Sequence, residues 1–291
     1  MSNYLLVKNM KIPENIRINS LHLSIQNLER SLAFYTDVIG LQLLMRDAES
    51  ASLGVHETQL LVLHENPDAR QVRNTSGLYH FAILVPTRSD LAVVVARLLE
   101  KRAPIQGFAH HGVSEAVYLS DPDGNGIEIY RDLSQDDWPR DASGELQMVT
   151  DPLDVKGLLA AMDADAPAKG MLPPDTTIGH MHLHVRNVDE AVAFYRDALG
   201  FNLIQRYGPS AAFLAAGDYH HHIGINTWAG IGAPPKPNDA IGLESFSIVF
   251  TADSELSAFA AVLREQGVGL VECDGGVAVK DPSGNLLRFV V

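Results

Sequence analysis

Apolar and polar positions fall into short runs of period two and longer runs of helical spacing, and the two kinds alternate in a fixed order. In LHLSI, Leu21, Leu23 and Ile25 take one face of a strand, leaving His22 and Ser24 on the other. Asn27 then caps a helix whose apolar positions Leu28, Leu32, Tyr35 and Ile39 lie on one side, and Gly40 closes it. Strand-like runs follow, ending in QLLVLHEN. GLYHFAILV begins the order again: Tyr79, Phe81, Ile83 and Val85 share a face that His80 opposes, and Ser89 or Asp90 caps a helix from Leu91 to Arg102. The turn DPDGNG, from Asp121, joins an antiparallel strand at Ala116 to Leu119 to one at Ile127 to Tyr130, because Pro122 fixes φ and Gly124, Asn125 and Gly126 accept positive φ. On the second of these strands Glu128 and Tyr130 face away from Ile127 and Ile129.

The whole pattern occurs twice. Ile18 to Arg46 aligns with Ile178 to Arg206, so that His22, Asn27, Phe34, Tyr35, Asp37 and Gly40 recur as His182, Asn187, Phe194, Tyr195, Asp197 and Gly200, and DPDGN at Asp121 recurs as DPSGN at Asp281. Each copy holds two units of strand, helix and about three strands. The predicted organisation is a first domain over 1–131 (units about 17–66 and 77–131), a linker over 132–176 with a short helix near Leu153 to Met162, and a second domain over 177–291 (units about 177–228 and 241–291). In the second domain Asn187 and Asp253 are the expected caps, and Gly200 and Gly267 the stops.

Composition narrows the class. With 22 basic and 36 acidic side chains the formal charge is -14, which repels nucleic acid and anionic membranes. The longest apolar run is far too short to span a bilayer, and MSNYLLVKNMKIPEN has no export-signal pattern. Cys273 is the single cysteine, so no internal disulfide forms and a reducing, cytoplasmic setting is expected.

Four βαβββ units in two pairs resemble the vicinal oxygen chelate superfamily, which includes glyoxalase I, extradiol ring-cleaving dioxygenases and bleomycin or fosfomycin resistance proteins. The resemblance implies an α+β fold of two tandem domains, each a pair of modules whose curled mixed sheets form a cup. It places ligands on the first strand of each unit and the last strand of the second. His22, His80 and Glu128 hold those positions on the concave side, and two imidazoles with one carboxylate are the set that leaves open positions on a non-haem Fe(II). Singly, each histidine reads rather as a partly buried, hydrogen-bonded strand residue, and it is the set of three that points to a metal.

The stretch HHGVSEAVYLSDPDGNGIE resembles the extradiol dioxygenase signature: His110 or His111, then Val117-Tyr118, Asp121-Pro122, Gly124 and the ligand Glu128, with Phe108 and Ala109 departing from the pattern before the histidines. The resemblance implies that Fe(II), or Mn(II) on the same ligands, binds a small aromatic diol of catechol or hydroquinone type beside O2. His110 or His111 would serve as acid or base, and Tyr118 as a hydrogen-bond donor to substrate. In the second copy Ser245 and Arg288 stand where His80 and Glu128 stood, so the same triad cannot form there. That copy is nonetheless rich in histidine: His180, His182 and His184 share a strand face and His220, His221 and His222 follow, which keeps open a second site built on His182 and His222. Two rivals stand beside the dioxygenase: a glyoxalase-like isomerase or lyase, for which LLVLH supplies no fourth ligand, and a protein that sequesters a small molecule without chemistry. A homo-oligomer is compatible with either.

Overall fold

The computed structural model describes residues 11–163 and 170–291, so the first ten residues, read above for an export signal, lie outside the described residues. The first module comprises β1 (Arg17–Ile25), a helix α1 that starts as α (Leu28–Ala33) and widens to π (Phe34–Ile39), then β2 (Gln42–Arg46), β3 (Ser50–Val55) and β4 (Thr58–Glu65). The second holds β5 (Gly77–Leu84), α2 (Arg88–Glu100), β6 (Gly107–His110), β7 (Ser114–Ser120) and β8 (Gly126–Asp132). A short α3 (Val155–Ala160) lies in the connecting segment. The third module has β9 (Thr177–His184), α4 (Val188–Val192, continuing as π over Ala193–Ala198), β10 (Asn202–Tyr207), β11 (Ala211–Ala215) and β12 (Ile223–Asn226). The fourth has β13 (Gly242–Val249), α5 (Asp253–Glu265), β14 (Val271–Cys273), β15 (Gly276–Lys280) and β16 (Leu286–Val290). The expected α+β class and the four repeated modules are therefore present.

Most caps fall where the sequence places them. Asn27 and Asn187 accept from the backbone N–H of Arg30 and Glu190, and Gly40 ends α1 with φ of 91°. Two caps differ. Thr87, not Ser89 or Asp90, caps α2, with Asp90 returning a bond to the Thr87 N–H in a capping box. Ala252 precedes α5, so Asp253 is the first helical residue and complements the helix dipole rather than capping it.

Strand pairing links the copies crosswise. β1 pairs with β13, setting Leu21 beside Phe246 and His22 beside Ser245, while β5 pairs with β9, setting His80 beside His182 and Ala82 beside His180. The first module thus shares a cup with the fourth, and the second with the third; β1 and β9 meet only at Ile18 and Ile178. Within each copy the modules are joined by a different device. Tyr35 on α1 donates to Asp121 Oδ2 at 2.8 Å, and Asp121 Oδ1 accepts the N–H groups of Asp123 and Asn125 at 2.9 and 2.8 Å. Tyr195 and Asp281 repeat the latch at 3.1 Å. All four residues are buried. Asp121→Ala would strand two backbone donors and a phenol, and urea unfolding is expected to show a loss of about 3 kcal/mol.

Candidate active site

The sheet register assembles one cluster. Tyr118 on β7 lies opposite Glu128 on β8, Glu128 beside Ala82 on β5, and Ala82 beside His180 on β9. Residues paired across neighbouring strands share a face, so Tyr118, Glu128 and His180 line up over the small Ala82. His80, two residues from Ala82, projects to the same face. The methyl of Ala82 keeps the floor low enough for the three longer side chains to converge. Glu128 Oε2 lies 3.0 Å from His80 Nε2 and 3.1 Å from His180 Nε2, and one donor atom from each of the three lies within 4.8 Å of the others. All three residues are buried.

His22 is not among them. It faces the other cup, with Nδ1 3.0 Å from His64 Nε2, because β1 pairs with β13 of the last module rather than with β5. Of the expected trio His22, His80 and Glu128, the structure brings together His80 and Glu128, and it places His180 beside them where His22 was expected. His182 packs edge-on against His80 with ring centroids 4.9 Å apart, and His184 Nδ1 meets Asn226 Oδ1 at 2.7 Å. His222 Nδ1 accepts the Ala216 N–H at 3.2 Å. Among the described residues His80, Glu128 and His180 are the group whose donor atoms all lie within 4.8 Å of one another; His182 and His222 are not part of it.

The two candidate acid–base histidines separate. His111 lines the cavity, whereas His110 does not; His110 is turned back on its own loop, where Nδ1 accepts the Gly112 N–H at 3.1 Å. His111 Nδ1 lies 2.7 Å from the Val149 carbonyl and Nε2 lies 2.6 Å from Tyr118 Oη. A carbonyl can only accept, so Nδ1 carries a proton, and a ring with that single proton accepts from the Tyr118 hydroxyl at Nε2. Val149 belongs to the segment read as a linker. Gln205 on β10 pins that segment by bonds to the Met148 N–H and carbonyl at 2.7 and 3.2 Å, and Met148, Val149 and Thr150 wall the cavity.

On the far wall stands His221. Asp132 accepts from His220 Nε2 at 2.8 Å, and His220 Nδ1 lies 2.8 Å from His221 Nδ1. A neutral His220 that donates at Nε2 must accept at Nδ1, so His221 donates at Nδ1 and keeps its Nε2 lone pair. The cavity that these residues line holds about 450 Å³, and its lining includes Tyr79 and Trp228, whose rings meet at 5.1 Å.

Burial sets the charges. It pushes His180 down to about 4 and, with the neighbouring imidazoles, holds His182 and His221 well below their usual value. Burial alone would raise the Glu128 carboxyl, but the imidazoles of His180 and His80 outweigh it and keep the group below the ordinary carboxylate range. His180, His182 and His221 are therefore neutral imidazoles beside the Glu128 carboxylate at neutral pH. Between pH 6.5 and about 4 the unfolded chain binds protons at His180 and His222 that the native state refuses, so stability falls as pH drops through that window. Thermal unfolding from pH 7.5 to 4.5 is expected to show a Tm flat above 6.5 and declining below it.

Comparison with known proteins fixes the family. The sequence model described as the Glyoxalase/Bleomycin resistance protein/Dioxygenase superfamily matches residues 17–129 and 177–289. The chain belongs to that superfamily. Within it, the chain is 47% identical over 285 residues to the catechol-2,3-dioxygenase of Bacillus subtilis (strain 168), covering 96% of this chain and 99% of that relative. It is 31% identical over 107 residues to biphenyl-2,3-diol 1,2-dioxygenase 3 of Rhodococcus globerulus, covering 34% and 54% of the two chains. Glyoxalase I from Zea mays shares the superfamily fold at a TM-score of 0.57 and 16% identity, over 95% of this chain and 92% of that one. By these relatives the protein is an oxidoreductase of the extradiol dioxygenase kind. Among the described residues no helix is long and apolar enough to cross a membrane.

Proposed function

We propose that this superfamily member cleaves the ring of a neutral catechol-like or hydroquinone-like diol with O2, using Fe(II) held by His80, His180 and Glu128. The observation that carries the reading is the convergence of those three donors from adjacent strands within 4.8 Å. Two further features fit a metal. His80 Nε2, although close to Glu128, makes no aligned hydrogen bond, and His180 Nδ1 is buried without a partner, which is costly in an unliganded cluster. Two imidazoles with a carboxylate also match Fe(II) and Mn(II) alike. When bound there, the metal would supply a Lewis acid for both oxygens of a catechol or for one oxygen of a hydroquinone, and would leave positions open for O2.

The protein's own groups handle protons and placement. Tyr118 donates to His111, so its oxygen lone pairs are free to accept a diol O–H, while the Tyr118 proton passes to His111 Nε2. Burial keeps the phenol protonated. His221, kept neutral by burial and the imidazoles around it, offers its Nε2 lone pair as a hydrogen-bond acceptor to a second diol O–H. Phe213 packs edge-on against His221 and His182 at 4.9 and 5.7 Å and supplies an apolar wall for the ring. His111→Ala is expected to lower kcat by about 10²- to 10³-fold, the usual range for a positioned acid or base, and His110→Ala by less than about threefold.

Among the described residues lining the cavity there is no lysine or arginine, and the single charged side chain is Glu128. A diol bearing a carboxylate would meet no counter-charge and would lose its hydration. Competition assays are expected to favour neutral, apolar-substituted diols over carboxylated ones by at least about tenfold in kcat/KM; equal rates would contradict the substrate class. The reaction itself is tested by reconstituting the metal-stripped protein with Fe(II) or Mn(II) under anaerobic conditions and adding O2 and a panel of diols. Uptake matched one to one by a ring-opened product supports the reading. Stoichiometric ligand binding without turnover on either metal would leave a sequestering protein instead. The lone Cys273 supports a cytoplasmic setting for this chemistry.

A further inference from the structure

The second cup, between the first and last modules, has lost the cluster of the first but retains a different convergence of ligand side chains. His22 Nδ1 and His64 Nε2 stand 3.0 Å apart with their rings stacked at 5.3 Å. In the parallel pairing of β1 with β4, His22 lies beside Val62, two residues from His64, so both imidazoles rise from one face. A carboxylate adjoins His64: Glu244 Oε2 is 3.8 Å from its Nε2.

The placement of Glu244 has a structural cause. On β13 the register skips it, with His22 paired to Ser245 and Leu23 to Leu243, and such a bulge re-aims the side chain of the extra residue. The same break occurs on β5, where Leu78 pairs with Leu183 and His80 with His182. There the skipped residue, Tyr79, leans over the first cup against His182 and His184. In the second cup the skipped residue is an acid beside His64.

We propose that His22, His64 and Glu244 form a second divalent-metal site, suited to a borderline ion such as Zn(II) and independent of the His80–Glu128–His180 cluster. Two nitrogens each about 2.1 Å from one metal at angles between square and tetrahedral lie about 3.0–3.4 Å apart, the spacing of His22 and His64. His64 and Glu244 have side chains 39% and 42% exposed, so they rotate to close on an ion that His22 anchors from the strand. Arg288 opposes this. It lies beside Ser247, on the face of Ser245 and His22, and its charge weakens a cation held there. Since His22 and His64 belong to the first module and Glu244 to the last, the ion would clamp the β1–β13 seam that joins the two ends of the fold.

The test is Zn(II) binding by equilibrium dialysis with elemental analysis, together with thermal unfolding. The double variant His80→Ala/Glu128→Gln, confirmed folded by circular dichroism, is expected to bind about one Zn(II) per chain and to melt at higher temperature with the ion than without it. Adding His22→Ala or His64→Ala should abolish both effects, and Arg288→Gln should tighten binding severalfold. If the double variant does not fold, the wild type serves: His22→Ala should reduce bound Zn(II) from about two to about one per chain. No zinc in the folded double variant, or zinc retained after loss of His22 and His64, would overturn the site and leave an imidazole–imidazole hydrogen bond only.

Discussion

His180→Ala is expected to lower kcat/KM for ring cleavage by at least about 10³-fold and to cut Fe(II) retention, whereas His22→Ala should leave turnover within about twofold of wild type. Loss of a ligand removes several kcal/mol of transition-state stabilisation supplied by a bound metal, and each 1.36 kcal/mol is tenfold in rate. The contrast follows from strand order. His180 enters the cluster because β9 lies beside β5 and places it across Ala82 from Glu128, whereas β1 faces β13. Steady-state kinetics with metal content measured on the same samples checks both halves. Activity lost with His22 and retained without His180 would mean that the first copy alone holds the iron.

Glu128→Gln carries the second large effect. Among the described residues the carboxylate is the single negative group lining the cavity; it is buried and faces both imidazoles at 3.0 and 3.1 Å. The amide has nearly the same shape but no charge, so Fe(II) affinity and turnover should fall together, kcat by at least about 10³-fold. Because the substitution is isosteric, circular dichroism should be unchanged. A Glu128→Gln variant that still binds a diol analogue but no longer consumes O2 separates catalysis from simple capture. Full turnover in this variant would remove Glu128 from the metal site.

Much of this was legible in the residues. The alternation in LYHFAILV and GIEIY aims His80 and Glu128 away from the helices, and the turn between Asp121 and Gly126 fixes the last hairpin of the second module. The repeat was visible too, but it gave no sign of the side chain that joins His80 and Glu128. Aligning the copies makes His22 the equivalent of His182, while His180 aligns with Ser20 and so carries no internal signal. Which first strands become neighbours depends on how the two copies dock, a long-range outcome that strand periodicity does not encode. The same limit applies to His111: its tautomer rests on the Val149 carbonyl, 38 residues away, in a segment whose polar composition reads as a plain connection. His221 was visible only as part of a histidine-rich run; the bond from Asp132 to His220 that fixes its lone pair spans 88 residues.

The measurement that addresses the central claim most directly is an anomalous difference map at the iron edge from crystals of the Fe(II)-reconstituted protein grown without oxygen. The account predicts a peak bounded by His80, Glu128 and His180, between the second and third modules. A peak at His22 with the His80 cluster empty would contradict it.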